Sequence, residues 1–334
     1  MTKRISSIIV LFIFALTGQG ETWEFGGAFP DDSGWPQSYG HGIAVDGEGK
    51  IWYTSYYDSD SMAVEFGPDS IRPCRAIYVF NPDGSQAPFS PIKTITVDGV
   101  IDTLWQSNRG LRTDPNGNIV AGSWSVYYRI NHLTGEGMDK LVPYPDNENP
   151  EDPWTGQSLT APDFDQDGNM FTVPVIASIG AIKAYDEDWE LIDEVVPAEM
   201  LQGYCRTISA SPDGGAVYFY NFVSDDGIMR YNSSDGSVYG DFTSSIDTLF
   251  PGLQVEAAGW DPSGRLWVGN SAGPGYMNCA FYAIDPSTDT VVDSIIMPDS
   301  LVDLGLKPRG IDFGFDGQTA YITFFNSWES AAMY

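Results

Sequence analysis

A turn of the form Asp-x-x-Gly, or a close variant of it, recurs six times along this chain. Each copy lies between a small or apolar stretch and an aromatic-rich one. The copies occupy residues 41–55, 109–123, 160–174, 206–221, 256–270 and 309–324; the first reads HGIAVDGEGKIWYTS and the fifth EAAGWDPSGRLWVGN. Their turn glycines, Gly49, Gly117, Gly168, Gly214, Gly264 and Gly317, are 68, 51, 46, 50 and 53 residues apart. A period near fifty is the length of a four-stranded antiparallel propeller blade and too long for one coil of a solenoid.

The rest of each repeat supplies the outer strands. A third strand begins at Ile77, Tyr127, Ile182, Ile228 and Phe281, each ending in an Asp/Asn/Gly/Ser turn; a fourth follows from Pro91, Glu190 and Thr290. Apolar and polar residues alternate, and no long stretch carries a 3.6-residue period. The expected fold is therefore all-β, a six-bladed propeller of four-stranded antiparallel blades, or seven-bladed in a full-length protein. The run at Trp23 and Phe25 is placed to give the last blade its outer strand, while Met333-Tyr334 aligns with the opening of a third strand. The last blade is thus expected to be incomplete within a truncated chain.

Residues 1–20 read as a signal peptide: Lys3 and Arg4, an apolar core from Ile8 to Leu16, and small residues Gly18 and Gly20 at the cut. The expectation is a bacterial secreted, periplasmic or cell-surface protein, with the propeller over residues 21–334. No later stretch is apolar enough to insert in a membrane. With 46 acidic and 16 basic residues the net charge is −30, which disfavours nucleic acid and anionic lipid as partners and favours a soluble monomer.

The repeat, of the form GLxxDxxGxLWV, resembles the NHL, YVTN and gluconolactonase (SMP-30-like) group of propellers. That resemblance implies that the innermost strand of each blade starts at the mouth of a central channel, where ligands bind. The loops 56–75 and 271–278 open on the same face. The residues opening the inner strands then form a ring: His41, Arg109, Thr160, Arg206, Glu256 and Arg309. Lactonases of the group hold a divalent metal with Asn, Asp and Glu at such positions. This chain departs from them, since three Arg and a His stand in the ring and Glu256 is its one carboxylate. Asn221 and Asn270, at second-strand ends, are the candidate neutral ligands for a metal beside Glu256. Clustered guanidinium groups disfavour a cation and suit a carboxylate, sulfate or phosphate. The bland alternative is that these Arg only pair with acidic neighbours and water.

Other signals are weaker. Asp163, Asp165 and Asp167 match the opening of a calcium loop, but Pro174 stands where its bidentate Glu belongs, and an ordinary hairpin turn is the competing reading. Gly269-Asn270-Ser271-Ala272-Gly273 matches a nucleophile elbow, although Pro274-Gly275 prevents the helix it needs. Of three cysteines, Cys205 and Cys279 are candidates for a disulfide, with Cys74 left free. Tyr56, Tyr57, Trp124, Phe222, Tyr276 and Trp328 are placed to stack on sugars or to pack between blades. Asn232 opens a glycosylation sequon without consequence in a bacterial export context. The leading expectation is a non-catalytic module that binds a small anionic ligand, glycan or protein; a metal-dependent lactonase, hydrolase or lyase, with Ca²⁺ as possible cofactor, and a structural surface domain are the alternatives.

Overall fold

The structure is a computed structural model that describes residues 10–14, 23–30, 40–63, 71–271, 279–297, 302–303 and 305–326. It is built from hairpins, and the repeated Asp makes them. In the first repeat Asp46 accepts the backbone N–H groups of Glu48 and Lys50 on one oxygen and the Trp52 indole N–H on the other. Asp261 does the same for Ser263, Arg265 and Trp267. The carboxylate thus satisfies the turn's free donors and ties the turn to the aromatic of the next strand. The glycine closing each turn has positive φ, for example +80° at Gly49 and +88° at Gly168, which an L side chain rarely adopts.

The hairpins join into sheets that follow the repeats. Sheet two comprises Asn108–Thr113, Ile119–Ser123, Val126–Ile130 and Gly137–Leu141. Sheet three comprises Asp163–Phe164, Met170–Thr172, Ile182–Tyr185 and Leu191–Val196. Sheet four comprises Ile208–Ala210, Ala216–Tyr220, Ile228–Asn232 and Ser245–Leu249. Sheet five comprises Val255–Trp260, Leu266–Asn270, Ala280–Asp285 and Thr290–Ile296. Sheet six starts with Leu306–Phe313 and Thr319–Asn326 and is completed from the other end of the chain, by Val10–Phe14 and then, outermost, Trp23–Ala28.

These are five four-stranded antiparallel blades, so the expectation of six or seven is corrected. The first repeat gives a three-stranded sheet instead, Gly40–Val45, Ile51–Ser55 and Ile77–Phe80, which fills the interval in the ring between sheets six and two. Its expected fourth strand, Thr94–Val97, pairs with its own continuation, Val100–Thr103. The reason is the turn between them. Asp98 and Gly99 both have positive φ, 52° and 78°, the geometry of a tight two-residue hairpin, and it folds the strand back on itself. A second ribbon, Asp60–Ala63 with Ile71–Cys74, rises from the loop before the third strand. Two inserted ribbons account for the long first spacing.

The core lies between sheets. Trp267, Phe281, Ile311 and Ile322 pack between sheets five and six, and Phe171, Ile182, Val217 and Phe219 between three and four. Phe29, Ile43, Tyr53 and Tyr321 close the ring between sheet six and the three-stranded sheet of the first repeat. Lys3, Arg4 and the expected cleavage point lie outside the described residues. A chain cut after Gly20 has no Val10–Phe14 strand. Backbone amide exchange over Trp23–Ala28 is therefore expected to be at least about tenfold faster in a chain beginning at Glu21 than in the uncut chain. Equal rates would show that Val10–Phe14 does not hold this sheet.

Candidate anion-binding site

Ring residues reach the channel mouth by a shared backbone device. In four inner strands the pairing with the second strand slips by one residue, and the extra residues are His41, Arg109, Glu256 and Arg309. A β-bulge of this kind re-aims its side chain. It also lets residues three apart face the same channel, so Arg109 stands above Arg112 and Arg309 above Asp312. In three of these strands the residue that follows is a glycine, and the close approach requires it: a Cβ on Gly110 would sit 2.6 Å from that of Ala161.

The upper layer is cationic and short of partners. His41 is held well below its ordinary value by burial and by Arg309, Arg206 and Arg109, which places these four groups together. Among the described residues neither His41 ring nitrogen has a hydrogen-bond partner, and the residue is 5% exposed. Burial lowers the Arg109 guanidinium to about 10, with Tyr56 supporting its charge and Arg206 opposing it. Arg206 and Arg309 are lowered too, by burial first. Glu256 is clamped by Arg309 and by Lys307, whose Nζ lies 3.6 Å from Oε1. Among the described residues, no carboxylate pairs with Arg109 or Arg206, and the Nε of each is buried without a partner.

Each ring cation rests on an aromatic fifteen or sixteen residues further along, at the end of the second strand of the same repeat. The Arg109 carbon Cζ lies 4.4 Å from the Trp124 ring centre, Arg206 lies 4.2 Å from Phe222, and Arg309 lies 4.7 Å from Phe325. His41 stacks on Tyr56 at 5.4 Å in the same relation. A flat guanidinium on a ring face turns its N–H edge away from the ring, toward Glu256 in the case of Arg309 and toward the channel mouth in the others. Thr160 is the exception in the ring, its hydroxyl donated to the Val173 carbonyl at 3.0 Å.

Below this layer the channel is lined by paired charge. Arg112 Nε lies 3.1 Å from Asp163 Oδ1, and its Nη2 donates to the Ala258 carbonyl at 3.0 Å. Asp163 Oδ2 accepts the Trp260 indole N–H and the Ala210 N–H; Asp312 accepts the Val45 N–H at 2.7 Å. Each carboxylate thereby latches one inner strand to another. Burial pushes Asp312 up to about 6, against the pull of the Val45 N–H and Arg112. A raised carboxyl holds a proton in the native state that the unfolded state has lost, so its contribution falls as pH rises from about 4 to 6. Asp312→Asn is expected to flatten that part of the stability profile. Melts of both proteins should show the variant gaining several degrees relative to the parent between pH 4.5 and 7; parallel profiles would refute the assignment.

The expected metal ligands do not converge. Asp165 caps its turn through the N–H groups of Asp167 and Asn169, as Asp46 and Asp261 do in theirs, while Asp163 faces the channel. Asn221 Oδ1, at the end of the second strand of sheet four, accepts from Tyr204 and Val223, and Asn270 Oδ1, in sheet five, accepts from Gln254. Among the described residues there is no cluster of three or more His, Cys, Asp or Glu placed to hold a metal. The expected bridge between Cys205 and Cys279 is not formed. All three cysteines are free and buried, Cys205 in the core between sheets three and four and Cys279 in that between five and six. Tyr276, Trp328 and most of the loop 271–278 lie outside the described residues.

No protein-family model and no curated protein sequence matches the chain. Solved structures do. A luciferin-regenerating enzyme is 12% identical, with 88% of this chain and 93% of that one covered at a TM-score of 0.53. A Bacteroides caccae protein of unknown function is 15% identical over 86% and 94%, TM-score 0.49. A chain of a mitotic checkpoint complex is 11% identical over 90% and 78%, TM-score 0.48. The chain is a β-propeller. At such identities the likeness shows the fold alone, and membership of the NHL, YVTN or gluconolactonase group is not established.

Proposed function

We propose that this propeller is a secreted binding module that takes a small anionic ligand at the channel mouth, on Arg109, Arg206 and Arg309. One observation carries the reading. Among the described residues no carboxylate pairs with Arg109 or Arg206, the Nε of each is buried, and a neutral His41 stands beside them, in a chain of net charge −30. Desolvated cations without counter-charge are costly, and a surface so rich in carboxylates had many available to neutralise them. A ligand oxyanion supplies the missing partner. The leader-like first twenty residues support export. The lactonase reading needs Glu256 for a metal, whereas Arg309 and Lys307 already hold that carboxylate.

The test is a thermal melt of the full chain against phosphate, sulfate, gluconate, Ca²⁺ and EDTA. An anion at a hundred times its dissociation constant adds about 2.7 kcal/mol and is expected to raise the midpoint by several degrees. A rise with Ca²⁺ alone, reversed by EDTA, would favour the metal reading and overturn this one.

A further inference from the structure

The rim beside Arg206 carries exposed apolar side chains. Ile176, Ile179, Tyr204 and Val223 are each 41–51% exposed. They are joined to one another and to the site. Ile176 bridges Tyr204 in an isolated antiparallel pair, and Ile179 ends the short turn Ala177–Ile179, which is tied to Gly203 by the Ala177 N–H at 3.2 Å. The Tyr204 ring lies 6.1 Å from that of Phe222, the ring under the Arg206 guanidinium. Asn221 Oδ1 pins both ends of the platform by accepting the N–H groups of Tyr204 and Val223. Scattered exposed apolar residues need no explanation, but a group joined to the aromatic support of a half-buried cation whose Nε has no partner does.

We infer that the ligand is an amphipathic anion. Its carboxylate-like head meets Arg206 and the neighbouring guanidinium groups, and its apolar body lies across Tyr204, Ile176, Ile179 and Val223. The inference rests on the anion-site reading and adds the chemistry of the ligand's other end. A wholly polar anion would leave the rim wet, whereas an alkyl or aryl chain would cover it. A methylene half covered by such a platform gains about twofold in affinity.

Calorimetric titration of the full chain with butanoate, hexanoate and octanoate tests it. Octanoate is expected to bind roughly tenfold more tightly than butanoate. Tyr204→Ser and Val223→Ser, both exposed positions, are expected to flatten that gradient while leaving butanoate affinity within about twofold. Equal affinities for butanoate and octanoate, with both sensitive to Arg206→Ala, would overturn the amphipathic ligand and leave the anion site standing. Failure of every carboxylate and of phosphate to bind would overturn both.

Discussion

Arg206→Ala is expected to weaken anion binding by about 10- to 100-fold and, at the same time, to raise the melting temperature of the ligand-free protein. The first effect is the loss of a charge-assisted hydrogen bond, worth about 1.5–3 kcal/mol. The second follows from where the guanidinium sits. Burial makes Arg206 and Arg309 harder to keep charged, Arg206 and Arg109 add to that cost at Arg309, and no carboxylate of the described chain pairs with Arg206. Removing one of several crowded like charges relieves the empty site. A residue retained only to satisfy the channel would behave oppositely, lowering the melt and leaving anion affinity unchanged. Calorimetric titration beside a melt of the same variant separates the two roles.

Asp163→Ala carries the largest stability effect. Asp163 is buried, paired with Arg112 and bonded to Trp260 Nε1 and the Ala210 N–H, so its loss strands a buried guanidinium and two donors. Breaking one side of a buried pair costs about 3–5 kcal/mol. For a chain of this size the midpoint should fall by about 5–10 °C. A denaturant melt showing less than about 1 kcal/mol of change would mean that the carboxylate is not what holds these inner strands together. Binding at the mouth, one layer above, is expected to survive in the folded variant.

Much of this architecture was legible from the repeat alone. The Asp-x-x-Gly turns marked the hairpins because the Asp satisfies the turn and the Gly takes its positive φ, a local rule that needs no tertiary context. The third strands opening at Ile77, Ile182 and Ile228 stand where the pattern placed them, and Trp23–Ala28 is the outer strand of sheet six. The first repeat misled because Asp98-Gly99 turns Thr94–Val97 back on its own continuation, and a strand's partner is not written in its alternation. The ring residues could be named from their place before the turn, and His41, Arg109, Arg206 and Arg309 do meet.

What escaped the sequence depends on bulges and on pairings across hairpins. Arg112, Asp163 and Asp312 share the channel with the ring only because an extra residue shifts the period from two to three. The aromatic supports Trp124, Phe222 and Phe325 recur at a spacing of fifteen or sixteen, a signal present in the chain but visible only once the hairpin register is known. The disulfide failed for a plainer reason: two cysteines on one face of adjacent blades are still held in separate cores, Cys205 between sheets three and four and Cys279 between five and six. Asp165 resembled a calcium ligand because hairpin caps and cation loops both present alternating carboxylates.

The most direct measurement is an anomalous difference map, at the selenium edge, from crystals of the full chain grown in selenate. A peak is expected at the channel mouth within hydrogen-bond reach of the Arg109, Arg206 and Arg309 guanidinium groups, absent from crystals of Arg206→Ala. A mouth without a peak, with each arginine paired instead to a protein carboxylate, would contradict it.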